Sequence, residues 1–183
     1  MFYCFLAEGF EEIEAITTVD ILRRAGIEIK TVCVNDDSLT AVGAHNIPVV
    51  CDMNIADCIA DDSLQGVFLP GGMPGTTNLD ESKSVRELIA YCADKDKYLF
   101  AICAAPSVFG HMGLLEDKKA TCYPGFESEL TGALYSQMPA VKDGRIITGK
   151  GPGVTIDFAM MIVEELLGKN KAEELMSGMQ CHE

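Results

Sequence analysis

The stretch from Tyr98 to Ser107 constrains the fold of this chain more than any other part of the sequence. It begins with five consecutive apolar or aromatic residues, which is typical of a strand that is covered on both faces. Cys103 follows directly, with the small residues Ala101 and Ala105 on either side, and a sharp strand-to-helix turn requires such residues because bulkier side chains would collide. The pattern therefore predicts a buried strand, a tight turn that carries one cysteine, and a helix.

Cys103 in this turn is the strongest candidate for a nucleophile. At the start of a helix, free backbone N–H groups and the helix dipole favour a thiolate. A cysteine can instead serve only as a small buried hydrophobic residue. We expect this structural role for the other seven cysteines, at positions 4, 33, 51, 58, 92, 122 and 181. No two cysteines have the spacing of a zinc knuckle or a Cys-x-x-Cys redox site, so reduced thiols in the cytoplasm are expected.

Length and charge narrow the possible functions further. The chain has 183 residues, and we expect a single domain over 1–183. The net charge of −14 opposes binding to nucleic-acid phosphates. No apolar run approaches the roughly 18 residues of a membrane helix, and the short apolar start of the chain is interpreted as a strand, not as a signal peptide. We therefore expect a cytoplasmic protein with no membrane partner.

The rest of the chain alternates between strand and helix patterns. Strands are predicted at 2–6, 27–34, 66–69, 98–102 and 120–123, short edge strands within 40–59, and an antiparallel hairpin around Asp143-Gly144. Helices are predicted at 11–24, 82–92, 154–167 and 171–176 and from the cysteine turn to about 112, with a polar turn at 35–38. This alternation predicts an α/β fold with a mostly parallel sheet, helices on both faces and one late hairpin.

In such a sheet the site lies beyond the carboxyl ends of the strands, where the ends of three predicted strands meet. Gly71 and Gly72 follow one of these strands, and without side chains their N–H groups can face a ligand oxygen. Together with the N–H of Ala104 they are a candidate oxyanion hole. The alternative is an ordinary glycine turn.

Three acids at the start of the first helix are candidates for a proton donor. Glu11 and Glu12 suit the positive end of the helix dipole. Glu14 shares a helix face with the apolar Ile21, and a carboxyl group held there beside a thiolate would keep its proton. Spacing does not choose among the three acids. The histidines, at positions 45, 111 and 182, are expected at the surface, and no histidine adjoins Cys103 in the sequence.

Four segments of the chain resemble the ThiJ/PfpI superfamily, in the branch of the parkinsonism-associated protein deglycase. They are Ala7-Glu8-Gly9-Phe10-Glu11-Glu12-Ile13-Glu14, Leu69-Pro70-Gly71-Gly72, Ala101-Ile102-Cys103-Ala104-Ala105-Pro106 and Gly151-Pro152-Gly153. The resemblance implies a flavodoxin-like three-layer sandwich of the class I glutamine amidotransferase type. It also implies a homodimer that packs partly through the first helix.

The resemblance also implies roles for individual residues. The nucleophile of the family falls on Cys103, its protonated glutamate on Glu14 and its oxyanion glycines on Gly71 and Gly72, with no metal or cofactor. The family's activities include glutathione-independent glyoxalase action, deglycation of methylglyoxal adducts, redox-sensing chaperone action and, in another branch, peptidase action.

Two positions depart from the family pattern. Tyr123 stands where relatives often have histidine, and a phenol is a poor base near neutral pH, so a Cys-His-Glu mechanism is not expected. Ala104 replaces the histidine of the peptidase branch, which makes a peptidase the weakest candidate. The sequence therefore predicts a cysteine-dependent enzyme that acts on small oxoaldehydes or their adducts. The alternative is a non-catalytic oxidation sensor or redox-regulated chaperone that uses Cys103.

Overall fold

The computed structural model describes residues 1–35 and 38–181. Its strands are β1 (Phe2–Leu6), β2 (Ile29–Cys33), β3 (Thr40–Val42), β4 (Pro48–Val50), β5 (Met53–Asn54), β6 (Gly66–Leu69), β7 (Tyr98–Ile102), β8 (Lys119–Ala120), β9 (Leu134–Tyr135), β10 (Ala140–Asp143) and β11 (Ile146–Gly149). Its α-helices are α1 (Glu12–Arg24), α2 (Gly75–Glu81), α3 (Lys83–Asp94), α4 (Pro106–His111), α5 (Thr155–Leu167) and α6 (Lys169–Gly178).

Seven strands form the central sheet, in the spatial order β10-β11-β7-β6-β1-β2-β5. All neighbours pair in parallel except β10 and β11, which form an antiparallel hairpin around Asp143-Gly144. The predicted parallel sheet and late hairpin are confirmed. The predicted edge strands of 40–59 are also present, as the separate hairpin of β3 with β4 and as β5 at one edge of the sheet.

The alternation of side chains along β1 explains the three layers. Phe2, Cys4 and Leu6 belong to one apolar core, which also contains buried residues of α1, α5 and α6. Tyr3 and Phe5 point the other way, into a second core with buried residues of α2, α3 and α4. Because both faces of the central strands are covered, their sequences are apolar throughout, and the predicted flavodoxin-like sandwich is confirmed.

Helix α1 confirms the helix predicted at 11–24, but its apolar residues divide between core and surface. Val19 and Leu22 are buried, whereas Ile13 and Ile16 are 55% and 43% exposed. The buried face instead includes Glu14, next to apolar residues such as Ala15 and Ile21. The helix therefore carries a carboxyl group inward and two isoleucines outward.

Other elements differ from the predictions at their boundaries. The sequence does not predict helix α2, because its first residues Gly75, Thr76 and Thr77 are poor helix formers. The strand predicted at 120–123 shortens to β8, and the helix after the cysteine turn spans only α4. The turn predicted at 35–38 includes Asp36 and Asp37, which lie outside the described residues. Across residues 1–35 and 38–181, no helix has the length and apolar character needed to span a membrane.

Candidate active site

Cys103 occupies a strained backbone position immediately after β7. Its φ angle is +66°, a conformation that costs a non-glycine residue on the order of 1–3 kcal/mol. Hydrogen bonds on both sides hold it there: its N–H donates to Gly149 O at 2.9 Å, and its carbonyl oxygen accepts from Tyr123 N–H at 2.8 Å. The side chain is 9% exposed, and three residues of turn separate β7 from α4. The predicted strand, cysteine turn and helix are therefore present in that order.

Glu14 reaches this turn from α1. Its side chain is fully buried, and its Oε2 accepts a hydrogen bond of 2.8 Å from Gly71 N–H. A Cβ atom added to Gly71 would lie 2.6 Å from Cys103 Cβ and 2.9 Å from Glu14 Oε2. Only glycine fits where β6, the cysteine turn and this carboxyl group meet. The second oxygen, Oε1, has no hydrogen-bond partner among the residues described.

The pKa values of these two buried groups depend on each other. Burial raises the pKa of Glu14 to about 7, against the opposing effects of Gly71 N–H and the Cys103 thiol. Burial also raises the pKa of the Cys103 thiol, as does the negative charge of Glu14, whereas the N–H groups of Ala104 and Gly72 act to lower it. The thiolate expected from the sequence is therefore wrong for the free protein: burial and the charge of Glu14 outweigh the N–H groups at the start of the helix, and the pKa of Cys103 is raised. Near neutral pH the Glu14 carboxyl group lies between its two protonation states, beside a thiol that keeps its proton until a base removes it.

The three predicted oxyanion donors are in different situations. The N–H of Gly71 already donates to Glu14, so this residue holds the carboxyl group in place. The N–H groups of Gly72 and Ala104 are instead the two that act to lower the pKa of the Cys103 thiol. Gly72 has a φ angle of +89°, and an added Cβ would lie 2.5 Å from Gly9 O, so the turn requires glycine there.

The structure separates the three acids that spacing left open. Glu12 turns away from the cysteine: its Oε1 accepts from His45 N–H at 2.7 Å, and its Oε2 lies 2.8 Å from His45 Nδ1. Glu11 lies 3.8 Å from the same ring nitrogen. Of the three carboxyl groups, that of Glu14 is the one that accepts a hydrogen bond from Gly71 N–H. Glu11 and Glu12 instead connect α1 to the hairpin of β3 and β4.

The two described histidines make contacts away from Cys103. His45 is exposed and pairs with Glu12. His111 lies between Asp80 and Glu129, with nitrogen–oxygen distances of 2.6 and 3.0 Å. The third histidine, His182, lies outside the part of the chain that the structure describes.

Sequence reasoning gave no role to the segment that follows β11. Gly149 accepts the hydrogen bond from Cys103 N–H, and Gly151 lies against the Tyr123 ring, where an added Cβ would be 3.1 Å from Tyr123 Cδ2. The only sequence signal for this contact is the Gly151-Pro152-Gly153 motif itself. Tyr123, which stands where relatives often have histidine, is thus hydrogen-bonded to Cys103 through the backbone.

Fold and site together define an α/β sandwich protein with a buried cysteine on a strained strand-to-helix turn and a buried carboxyl group beside it. Comparison with known protein families identifies the family to which the chain belongs. Residues 2–165 match the DJ-1/PfpI family, and the chain belongs to that family.

Several relatives are similar over almost all of the chain. Protein dj-1beta of Drosophila melanogaster is 35% identical over 95% of this chain and 93% of its own length. The crystal structure of Drosophila melanogaster DJ-1beta superposes with a TM-score of 0.93 at 34% identity, covering 100% of this chain and 98% of that one. The glutathione-independent glyoxalase DJR-1.2 of Caenorhabditis elegans is 32% identical over 92% of this chain and 89% of its own length.

Protein DJ-1 homolog B of Arabidopsis thaliana is 38% identical over 93% of this chain but only 39% of its own length. This chain therefore spans less than half of the Arabidopsis relative.

Proposed function

We propose that the protein is a cysteine-dependent enzyme that converts small 2-oxoaldehydes, or their adducts on amines, without a metal or cofactor. Cys103 is the nucleophile and Glu14 its proton partner. The observation that carries the proposal is the Glu14 carboxyl group: it is buried, held by Gly71 N–H, poised near pH 7 and electrostatically coupled to the thiol. The similarity to a relative named as a glutathione-independent glyoxalase supports the same chemistry.

In the first step, the carboxylate of Glu14 accepts the proton of the Cys103 thiol while the sulfur adds to the aldehyde carbon. A C–S bond forms, and the π electron pair of the carbonyl moves to its oxygen. The N–H groups of Gly72 and Ala104 stabilise the developing alkoxide. Glu14 then returns the proton to this oxygen and leaves a hemithioacetal. A base with a pKa of about 7 suits proton transfer in both directions at neutral pH.

In the second step, the carboxylate of Glu14 takes the hydrogen on the former aldehyde carbon as a proton, which gives an enediolate. Glu14 returns this proton to the neighbouring carbon, and the hydroxyl proton passes to the oxygen of that carbon. The first carbon is oxidised to a thioester while the ketone is reduced to an alcohol, so no external oxidant or reductant is needed. Water then cleaves the thioester, which releases a 2-hydroxy acid and restores the Cys103 thiol. In sum, one oxoaldehyde and one water give one 2-hydroxy acid.

Incubation with methylglyoxal tests this proposal directly, because lactate is the product. Cys103→Ala removes the nucleophile and should reduce lactate formation to the uncatalysed rate. Cys181→Ser is a matched control, since this half-buried cysteine lies beyond α6, and it should keep the wild-type rate. Wild-type rates from Cys103→Ala would disprove the mechanism.

A second candidate function is the sensing of oxidants, by a non-catalytic sensor or a redox-regulated chaperone. The specific observation is the environment of the sulfur: Oε1 of Glu14 has no partner among the described residues and, when protonated, can donate to an oxygen of a sulfinate, as can the N–H groups of Gly72 and Ala104. Mass spectrometry after mild peroxide treatment distinguishes the two. Selective gain of two oxygens at Cys103, with negligible aldehyde turnover, supports sensing; unselective oxidation of the eight cysteines contradicts it.

We also propose that the protein forms a homodimer through α1 and the hairpin of β3 and β4. Ile13 and Ile16 are exposed on α1, and Ile47 and Val50 are exposed on the hairpin that Glu12 ties to this helix. An apolar surface of this kind favours association. Light scattering should give the mass of a dimer for the wild type and of a monomer for Ile16→Glu; a monomeric wild type would contradict the proposal.

Three predictions rest on the sequence: a single domain, a cytoplasmic location and the lack of nucleic-acid or membrane partners. The single domain follows from the length of 183 residues, and the exclusion of nucleic acid from the net charge of −14. The location follows from the expectation of reduced cysteines.

A further inference from the structure

A shallow pocket of about 290 Å³ lies next to the Cys103 turn and has no role in the steps above. One wall is formed by Tyr123 and Pro124, and the other by the segment 150–154 after β11. Neither wall contributes a group that moves a proton in the proposed reaction. The pocket is therefore a candidate for binding the part of a substrate that does not react.

Both walls are attached to the backbone of Cys103. Tyr123 N–H donates to Cys103 O at 2.8 Å, and Cys103 N–H donates to Gly149 O at 2.9 Å, directly before the second wall begins. The pocket is therefore joined, through two backbone hydrogen bonds, to the residue that carries the sulfur.

The surface of the pocket is mostly apolar. The Tyr123 ring is 46% exposed and lies against Gly151, which has no side chain to cover it. Pro124, Pro152 and Val154 add further apolar surface.

We propose that this pocket binds the substituent R of an oxoaldehyde R–CO–CHO and that Tyr123 determines specificity for an aryl or branched alkyl R. The inference rests on the proposed function, which supplies the covalent attachment at Cys103. The enzyme then prefers phenylglyoxal, in which R is a phenyl ring, over methylglyoxal. The small methyl group of methylglyoxal leaves the Tyr123 ring in contact with water.

The expected size of the preference follows from burial of apolar surface. One methylene group in an apolar pocket changes kcat/KM by about 10- to 200-fold. A phenyl ring is larger than one methylene group, but the pocket is open on one side. We therefore expect a preference of at least about tenfold for phenylglyoxal over methylglyoxal.

Steady-state kinetics with both aldehydes test the inference in the wild type, Tyr123→Ala and Tyr123→Phe. Tyr123→Ala should reduce the kcat/KM ratio of phenylglyoxal to methylglyoxal about tenfold, mainly through KM for phenylglyoxal, whereas Tyr123→Phe should retain it. Tyr135→Ala, which removes a similarly exposed tyrosine outside the pocket, is the matched control and should leave the ratio unchanged. A wild-type ratio near one, an unchanged ratio in Tyr123→Ala, or a Tyr123→Phe variant as impaired as Tyr123→Ala would overturn the inference.

A binding measurement separates failure of this inference from failure of the proposed function. If neither aldehyde is converted, the proposed function is wrong, and the pocket is tested with mandelate, the 2-hydroxy acid corresponding to phenylglyoxal, followed by the NMR shifts of backbone amides. Mandelate should shift the amides of Gly151 and Gly153, lactate should do so at least about tenfold more weakly, and Tyr123→Ala should abolish the mandelate shifts. Equal affinity for the two acids, or shifts confined to other parts of the protein, would overturn the inference.

Discussion

Two carboxyl groups on the first turn of α1 lie in different environments and differ in their protonation. Glu12 and Glu14 are both buried, yet their pKa values shift in opposite directions. Burial acts to raise the pKa of Glu12, but hydrogen bonds from the His45 ring and from the N–H groups of His45 and Ile47 outweigh it, and the pKa is lowered. Glu14 accepts one backbone hydrogen bond, from Gly71, and burial raises its pKa to about 7.

This difference shows that the number of hydrogen-bond donors, and not burial alone, determines the direction in which the pKa of a buried carboxyl group shifts. A separation of two residues turns a side chain about 200° around the helix axis, so the two acids face different elements. Glu12 is held as a charged structural group on the hairpin of β3 and β4. Glu14 is left with one free oxygen and a proton that it can give or take near neutral pH.

The largest expected contrast between the two acids is in activity. Glu14→Gln keeps the shape of the side chain but removes the base, and kcat/KM for methylglyoxal should fall about 100-fold or more. Glu12→Gln should retain most of the activity, because Glu12 contacts the hairpin and not the cysteine turn. Equal losses in the two variants would show that Glu14 has no special role in proton transfer.

The second contrast is in the pH dependence of stability. Because the pKa of Glu14 rises from 4.5 to about 7 on folding, the folded state binds more protons than the unfolded state between these values, and stability falls as pH rises through this window. The total change is about 3 kcal/mol. Denaturant unfolding of wild type and Glu14→Gln at several pH values should show that the variant lacks this decline. Parallel pH profiles for the two proteins would contradict the raised pKa.

The third contrast uses the glycine that lies against each acid. Gly71→Ala places a Cβ 2.6 Å from Cys103 Cβ and 3.0 Å from Ile102 O, which cannot move without the backbone, so we expect a loss of about 2 kcal/mol in unfolding free energy. At Gly43 the atoms nearest to an added Cβ belong to the side chain of Glu12, which can move without the backbone but loses its hydrogen bonds from the hairpin of β3 and β4 when it does. Gly43→Ala should therefore cost less than Gly71→Ala. Thermal or denaturant unfolding measures both, and a greater loss for Gly43→Ala would refute this difference in rigidity.

The smallest expected effect is a change in the titration of His45. Glu12 and Glu11 raise the pKa of His45 above 6.5, so the contribution of its charge to stability is complete below 6.5 and is lost as pH rises through the higher folded value. In Glu12→Gln the pKa of His45 should move back towards 6.5, as followed by NMR of the imidazole signals. Glu14→Gln should leave the pKa of His45 unchanged. A similar change of the His45 pKa in both variants would show that Glu14 also interacts with His45.

The sequence predicts the sheet well where the strands are buried on both faces. The runs at 2–6, 66–69 and 98–102 are apolar throughout, and their boundaries agree with β1, β6 and β7. It does not predict α2, because Gly75 and the threonines after it have low helix propensity. Their helix depends on contacts with distant residues, such as the full burial of Leu79 in the second core.

The candidate site is only partly predictable from the sequence, because some of its contacts join residues that are far apart in the chain. The turn around Cys103 has a local signature, and the shared face of Glu14 and Ile21 is visible from their spacing. The choice among the three acids depends on partners far away in sequence, since Glu12 meets His45 across 33 residues and Glu14 meets Gly71 across 57. No local pattern shows that the Gly71 N–H is already occupied by a carboxylate oxygen.

The two hydrogen bonds that hold the backbone of Cys103 also have a consequence for the newly synthesised chain. Their partners, Tyr123 and Gly149, are added to the growing polypeptide 20 and 46 residues after the cysteine. A chain that has just emerged from the ribosome thus carries the sulfur on an ordinary, relaxed backbone. Its reactive geometry is completed only once the last third of the polypeptide has joined the sheet.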